Sequence, residues 1–254
     1  MQMRREKRRY SPFRYYRLNI ILGILIFFLG IAVFSVFVCR VDKFTVEGNN
    51  VASEQEVMNA SLVEKYKNNG LFDVLYAKFY PARDIEFVSK VRVHMRGFHE
   101  VVLSVKEKNL VFYTRDDKDH FIYCDKNANV TQVSTRLVSG ITPILGLEVK
   151  SEKVKEGQIL PVAGNRINAL KVLLKNKKSR KIAMDSIVFT EEGNILVTSG
   201  DIKVKLGNRS GLEEKLRRLA YILPMLKGKK GTLHLEDFSE NNTDIVFDSK
   251  KKTG

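Results

Sequence analysis

The sequence predicts an α+β protein hung from a single N-terminal transmembrane helix, and three observations predict it. Leu18 to Val38 is one unbroken apolar run in which Asn19 and Ser35 are the polar residues. After it, capped helix starts and short strands follow in the order strand, helix, helix, strand, strand. From Leu110 onward the texture changes to mostly short strands with two helices, which marks a second, larger mixed α/β unit.

Crossing the hydrocarbon of a bilayer takes about 20 apolar residues at about 1.5 Å each, and the run from Leu18 is that long. A cleaved signal peptide carries an apolar core of about 7–15 residues and a small-x-small site, whereas Val36-Phe37-Val38-Cys39 has no small residue before the cysteine. Residues 18–39 therefore read as an uncleaved anchor. Before it, Arg4, Arg5, Lys7, Arg8, Arg9, Arg14 and Arg17 oppose only Glu6, while Arg40, Asp42, Lys43 and Glu47 cancel on the far side. The positive-inside bias keeps residues 1–17 in the cytoplasm, against anionic headgroups, and puts the bulk of the chain outside.

The formal charge of +15 is divided between +6 in residues 1–17 and +9 beyond, so the outer part is basic in its own right. Lys175, Lys177, Lys178, Arg180 and Lys181 form a solvated basic face or a contact for anionic lipid or acidic wall polymers; an extracytoplasmic location argues against nucleic acid. Cys39 and Cys124 are the two cysteines, too few for a disulfide framework, which suits a bacterial surface better than a eukaryotic secretory lumen. The sequons at Asn59, Asn129, Asn208 and Asn241 would matter only in a eukaryotic host.

Phe44 and Val46, ending at Gly48-Asn49-Asn50, predict the first strand and its turn. Ser53-Glu54-Gln55-Glu56 is a capping box opening a helix to about Val63, with Val57 and Ala60 or Ser61 inward. Ile85 and Val88 share a face, with Phe87 at its edge, so a second helix is expected around Pro81 to Lys90, after an irregular insertion from Tyr66 to Tyr80. Val91 to Met95 and Val101 to Val105 alternate as strands joined by a hairpin at Arg96 to His99.

In the second unit the expected strands are Leu110–Tyr113, Phe121–Tyr123, Ile187–Phe189, Ile195–Thr198 and Ile202–Leu206, the last wet on its Lys203 and Lys205 face. A helix capped by Asn165 carries Ile167, Leu170, Leu173 and Leu174. Another opens on a capping box at Ser210 to Glu213 and lines up Leu212, Leu216, Leu219, Ala220 and Leu223, with Glu213–Arg217 and Glu214–Arg218 pairs. Thr232–Phe238, a polar turn at Ser239–Thr243, a strand at Asp244–Phe247 and a disordered basic end at 248–254 complete the chain.

These residues resemble the FtsQ/DivIB family of bacterial division proteins. The likeness rests on the basic tail and single span, Phe44-Thr-Val-Glu-Gly-Asn49, the capped helix at Ser53, and Leu103-Ser-Val-Lys-Glu107. It continues through Asp125-Lys-Asn-Ala-Asn-Val130, where Ala128 stands for the family's glycine, Ile141-Thr-Pro-Ile-Leu-Gly146, and Ile202-Lys-Val-Lys-Leu-Gly207 before the Ser210 helix. Gly97-Phe98 departs from the proline common there. The resemblance implies a POTRA domain (β-α-α-β-β) over residues 41–109 and a β domain over 110–247. It implies a non-enzymatic, single-pass scaffold of the divisome, enriched at the septum, that binds division proteins outside the cytoplasm and helps regulate septal wall synthesis. The implied partners are FtsL-like and FtsB/DivIC-like single-span coiled-coil proteins.

Catalytic chemistry has few candidates. His120 and Cys124 are two ligands, short of a zinc site, and Asp117-Lys-Asp119 has the Asp-x-Asp form of sugar-nucleotide transferases but falls in a polar run fit for a hairpin turn. No catalytic residue, cofactor or metal is assigned. The alternatives to a scaffold are a membrane-anchored extracytoplasmic enzyme or a polyanion-binding module acting on the cell wall. For the scaffold, a terminal strand can offer its free N–H and C=O groups to a partner strand, and the expected contact residues are Leu233, Leu235, Phe238, Asp244, Ile245, Val246 and Phe247. A capped edge or a core strand is the competing reading of the same segment.

Overall fold

The computed structural model describes residues 12–61, 69–239, 242 and 244–249. Most of the basic tail, part of the Tyr66–Tyr80 insertion, most of the Ser239–Thr243 turn with Asn241, and the basic end from residue 250 lie outside the described residues. The chain divides into two compact units, Met1–Glu107 and Lys108–Gly254.

The first unit begins with α1 (Pro12–Val38), whose residues from Leu18 to Phe34 are exposed all round, as a lone lipid-facing span requires. It continues through β1 (Lys43–Glu47), α2 (Glu54–Ser61), α3 (Gly70–Phe79), β2 (Val88–Arg96) and β3 (Glu100–Glu107). The sheet order is β1-β3-β2, with β1 parallel to β3 and β2–β3 an antiparallel hairpin. A parallel β1–β3 pair needs a crossover, and the two helices supply it. Val41, Ala52, Val57, Ile85, Val88, Val101, Leu103 and Val105 form this unit's own core. It is a POTRA-like domain.

The Ser53 capping box forms: the Ser53 N–H donates to Glu56 Oε2 at 2.8 Å and the Glu56 N–H to Ser53 Oγ at 3.2 Å. Glu107 closes the domain in a way no local pattern shows. Its Oε1 accepts the backbone N–H groups of Asn50, Val51 and Ala52 at 2.7, 2.6 and 3.2 Å, so the last residue of β3 organises the turn that leads into α2.

The second helix is not at Pro81–Lys90. It is α3, capped by Asn69, whose side chain accepts from the Leu71 and Phe72 N–H groups. Residues 81–85 are irregular, and Ile85 and Val88 meet through a turn in which the Val88 N–H donates to Ile85 O at 3.1 Å. Phe87, fully buried at φ 65°, stands between them in a left-handed conformation that a helix excludes. A spacing of three serves a tight turn as well as a helix face.

The second unit contains β4 (Phe112–Arg115), β5 (Phe121–Cys124), β6 (Val130–Ser134), β7 (Thr142–Leu145), α4 (Gly164–Ser179), β8 (Ser186–Phe189), β9 (Ile195–Ser199), β10 (Ile202–Gly207), α5 (Leu212–Ile222), β11 (Gly231–His234) and β12 (Val246–Ser249). Among the described residues they form a nine-stranded sheet in the order β12-β11-β10-β9-β8-β7-β4-β5-β6. β6 and β7 are additions to the expected strands. Ile202, Val204 and Leu206 are buried while Lys203 and Lys205 are exposed, as period two in β10 demands. Ile167, Leu170, Leu173 and Leu174 of α4 and Leu212, Leu216 and Leu219 of α5 share one core with the inward strand residues.

Both helix starts differ from expectation. α4 begins after Ala163, and Asn165, already inside the helix, accepts from the Arg166 N–H. α5 is entered through Gly211 at φ 61° with no side-chain cap; the Ser210 N–H instead donates to Asn208 Oδ1 at 2.9 Å. The tight exit from β10 takes Ser210 into that turn. Along α5, Arg217 pairs with Glu214 three residues back, and the Arg218 guanidinium lies 5.5 Å over the Phe238 ring.

Candidate partner-binding edge

The β-edge predicted from the sequence exists, displaced by two residues: β12 runs from Val246 to Ser249, and β11 ends at His234. Register pairs are Gly231↔Ser249, Thr232↔Asp248, Leu233↔Phe247 and His234↔Val246. β12 is last in the sheet order, so one side of its backbone has no strand beside it among the described residues. A row of such N–H and C=O groups is a template for a further strand.

The seven candidate residues divide by position. Leu233, Leu235 and Phe238 are buried core residues, and their side chains are not presented outward. Ile245 and Phe247 are half-buried against that core. Asp244 is exposed, and Val246 is 55% exposed. What the edge offers a partner is thus backbone, Val246 and carboxylates: Asp237, Asp244 and Asp248 line a cavity of about 250 Å³ together with His234, Glu236, Asn242 and Val246.

Several residues outside the predicted set hold this edge in place. His234 stands between two acids, with Nδ1 2.8 Å from Glu236 Oε1 and Nε2 3.2 Å from Asp248 Oδ2, which ties β11 to β12 through side chains. Burial raises the pKa of Glu236, but the hydrogen bond and charge of His234 outweigh it and hold the carboxyl below its ordinary range. Lys215 of α5 is buried and donates from Nζ to Leu206 O at 2.8 Å and to Glu236 O at 2.9 Å; burial pushes its ammonium pKa down. Gly231 accepts the approach of β12: a Cβ there would lie 2.2 Å from Asp248 O and 2.9 Å from Phe247 Cζ. At Gly207 (φ 67°) a Cβ would meet Glu236 Cβ at 2.8 Å. Of these features the sequence pattern shows α5 alone, and it does not indicate what Lys215 touches.

The residues considered for catalysis build turns. Asp116 Oδ1 accepts the Lys118 and His120 N–H groups and its Oδ2 lies 3.0 Å from His120 Nδ1, while Asp117 Oδ1 accepts the Ser151 N–H at 2.9 Å. Asp119, at φ 62°, pairs with Arg115. Cys124 is buried in β5, and desolvation raises its thiol pKa, which suppresses the nucleophilic thiolate. Among the described residues no group of three or more His, Cys, Asp or Glu side chains could hold a metal. Asp125 likewise serves a turn, accepting the Asn127 and Asn129 N–H groups at 2.8 Å, with Ala128 at φ 63° in the glycine-like position.

The basic cluster borders a cavity of about 1100 Å³ lined by Lys126, Lys171, Lys175, Lys177, Lys178 and Lys181. Lys177 is committed to structure there, donating to Thr142 Oγ1 and to Met184 O at 2.7 Å, and Arg180 Nε donates to Asn176 Oδ1 at 2.7 Å.

No family model matches the chain. Two curated relatives do: the cell division proteins DivIB of Clostridium botulinum strain Loch Maree (type A3) and of strain Hall (type A). Each is 25% identical over 248 residues, spanning 92% of this chain and 93% of the relative.

Proposed function

We propose that this chain is a cell-division protein of the FtsQ/DivIB family, the reading those matches support, and a non-enzymatic scaffold of the divisome anchored by α1. Its basic tail faces the cytoplasm and both folded units face outside, by the charge bias across the span. It gathers at the division septum, binds FtsL-like and FtsB/DivIC-like single-span partners there, and through them regulates septal wall synthesis. The relatives are named as division proteins and not as enzymes, which fits chemistry made of association alone.

The observation that carries this reading is the open outer edge of β12. A partner strand added there gains main-chain hydrogen bonds for affinity, while Val246 and the acids Asp244 and Asp248 supply specificity for a strand with basic flanks. The edge is short, and short edges resist promiscuous pairing.

Truncation after Asn242 removes β12 and tests the reading. Binding of the partners' extracytoplasmic segments is expected to vanish while circular dichroism shows the rest of the unit folded, and a fluorescent fusion of the truncated chain is expected to lose its midcell partners. Retained binding by a folded truncation would reject the edge as the contact.

A further inference from the structure

Helix α3 is built inside out. At about 100° per residue, Lys78, Leu71, Leu75, Phe79, Phe72 and Tyr76 fall on one continuous arc. Leu71, Phe72, Leu75 and Phe79 on that arc are 38, 48, 49 and 74% exposed. The arc turned inward carries Gly70 and Asp73, both buried, with Val74 and Ala77 half-buried beside them, and neither Asp73 carboxylate oxygen has a hydrogen-bond partner among the described residues. A helix covering a sheet in water turns its large apolar side chains inward, whereas α3 keeps small residues and an acid there and its large apolar residues outside. Around the arc, Phe72, Tyr76 and Tyr80 stack at centroid separations of 6.1 and 4.5 Å, and Lys78, Arg83 and Arg40 stand exposed nearby.

The location of this face identifies what covers it. The Gly70 N–H donates to Cys39 O at 2.8 Å, one residue past the end of α1, so the first turn of α3 is fastened to the exit of the span. The β2–β3 hairpin is fastened beside it: the Asp42 N–H donates to His99 O at 2.9 Å, and His99 Nδ1 lies 2.9 Å from Arg40 O. Phe98, at the tip of that hairpin, is 60% exposed. Ten residues of helix reach about 15 Å, so the whole apolar arc stays near the point where the chain leaves the hydrocarbon. Aromatic side chains settle at that boundary, and neighbouring basic groups meet phosphate headgroups.

We propose that the outer arc of α3, together with Phe98, lies in the headgroup boundary of the leaflet from which α1 emerges, with lipid as its occupant. The POTRA-like unit is then a peripheral membrane domain as well as a tethered one. This fixes its orientation to the bilayer, which a flexible tether alone would leave free. The inference rests on α1 spanning the membrane and not on any role in division.

The chain has no tryptophan, so single tryptophans report one position each. Full-length Phe79→Trp and Phe98→Trp proteins are reconstituted in vesicles of phosphatidylcholine and phosphatidylglycerol. Phe27→Trp serves as the control inside the span, and Gln55→Trp as the control on α2, beyond the far end of β1 and about 16 Å along that strand. Phe79→Trp and Phe98→Trp are expected to emit to the blue and to lose emission to lipids spin-labelled about 5–10 Å deep, with Gln55→Trp unaffected. Solvent-like, unquenched emission from Phe79→Trp and Phe98→Trp, while Phe27→Trp is quenched by deep labels, would overturn the proposal and leave the face to a protein partner. An unquenched Phe27→Trp would overturn it at its premise, the span itself.

Discussion

Replacing Asp73 by Asn removes a charge from a site that solvates it poorly. Burial raises the Asp73 pKa from 3.8 to about 6, with no hydrogen bond to offset the cost of ionisation. A gap of about two units corresponds to about 3 kcal/mol if the field is unscreened, and water around a surface helix reduces this to about 1–2 kcal/mol. The sign follows from proton counting. Below about pH 4 both folded and unfolded states hold the proton, between about pH 4 and 6 only the folded state holds it, and stability therefore falls as pH rises through that window. Asn carries no such penalty, so Asp73→Asn is expected to be more stable by about 1–2 kcal/mol at neutral pH and indistinguishable near pH 4. Urea denaturation of residues 40–107, which enclose their own core, followed by circular dichroism at both pH values, measures the difference. Equal midpoints at neutral pH, or a loss in the variant, would show that the carboxylate is compensated in the folded state and that its burial carries no such cost.

Two further outcomes follow from the same geometry. Glu107→Ala removes the acceptor shared by the Asn50, Val51 and Ala52 N–H groups and is expected to cost about 2–3 kcal/mol in the same denaturation assay, while Glu107→Gln, which keeps an acceptor oxygen, costs less than half of that. Equal losses would mean that charge and not acceptance matters. Gly231→Ala places a Cβ against Asp248 O and is expected to detach β12 without unfolding the unit; hydrogen exchange should show lost protection at Val246–Ser249 alone, and partner binding should fall with it.

Local physics made much of the architecture legible. The span needs only length and apolarity, the Ser53 box only residues three apart, and β10 only its alternation of Ile202, Val204 and Leu206 with lysines. The features that mislead are those whose local pattern has two physical solutions. Ile85 and Val88 fit a helix face and also a turn, and Ser210 fits a cap and also the tail of an Asn208 turn. At the candidate edge, the strand was visible and its side-chain roles were not. Leu233, Leu235 and Phe238 look alike in sequence to residues that a partner could touch, and only their packing into the shared core of the second unit withdraws them from the surface.

What the amino-acid order determined alone is an anchor, two α+β units behind it and a strand near the end, because length, charge bias, caps and alternation act over a few residues. Tertiary structure alone decided the rest. It set a glutamate beside a turn 55 residues away, aimed His234 at Asp248 across a strand pair, let Gly231 admit a passing backbone, and turned the apolar side of α3 outward next to the membrane exit. The physical reason is that which face of an element is buried, and which distant group completes a hydrogen bond, depend on what is brought beside it in space.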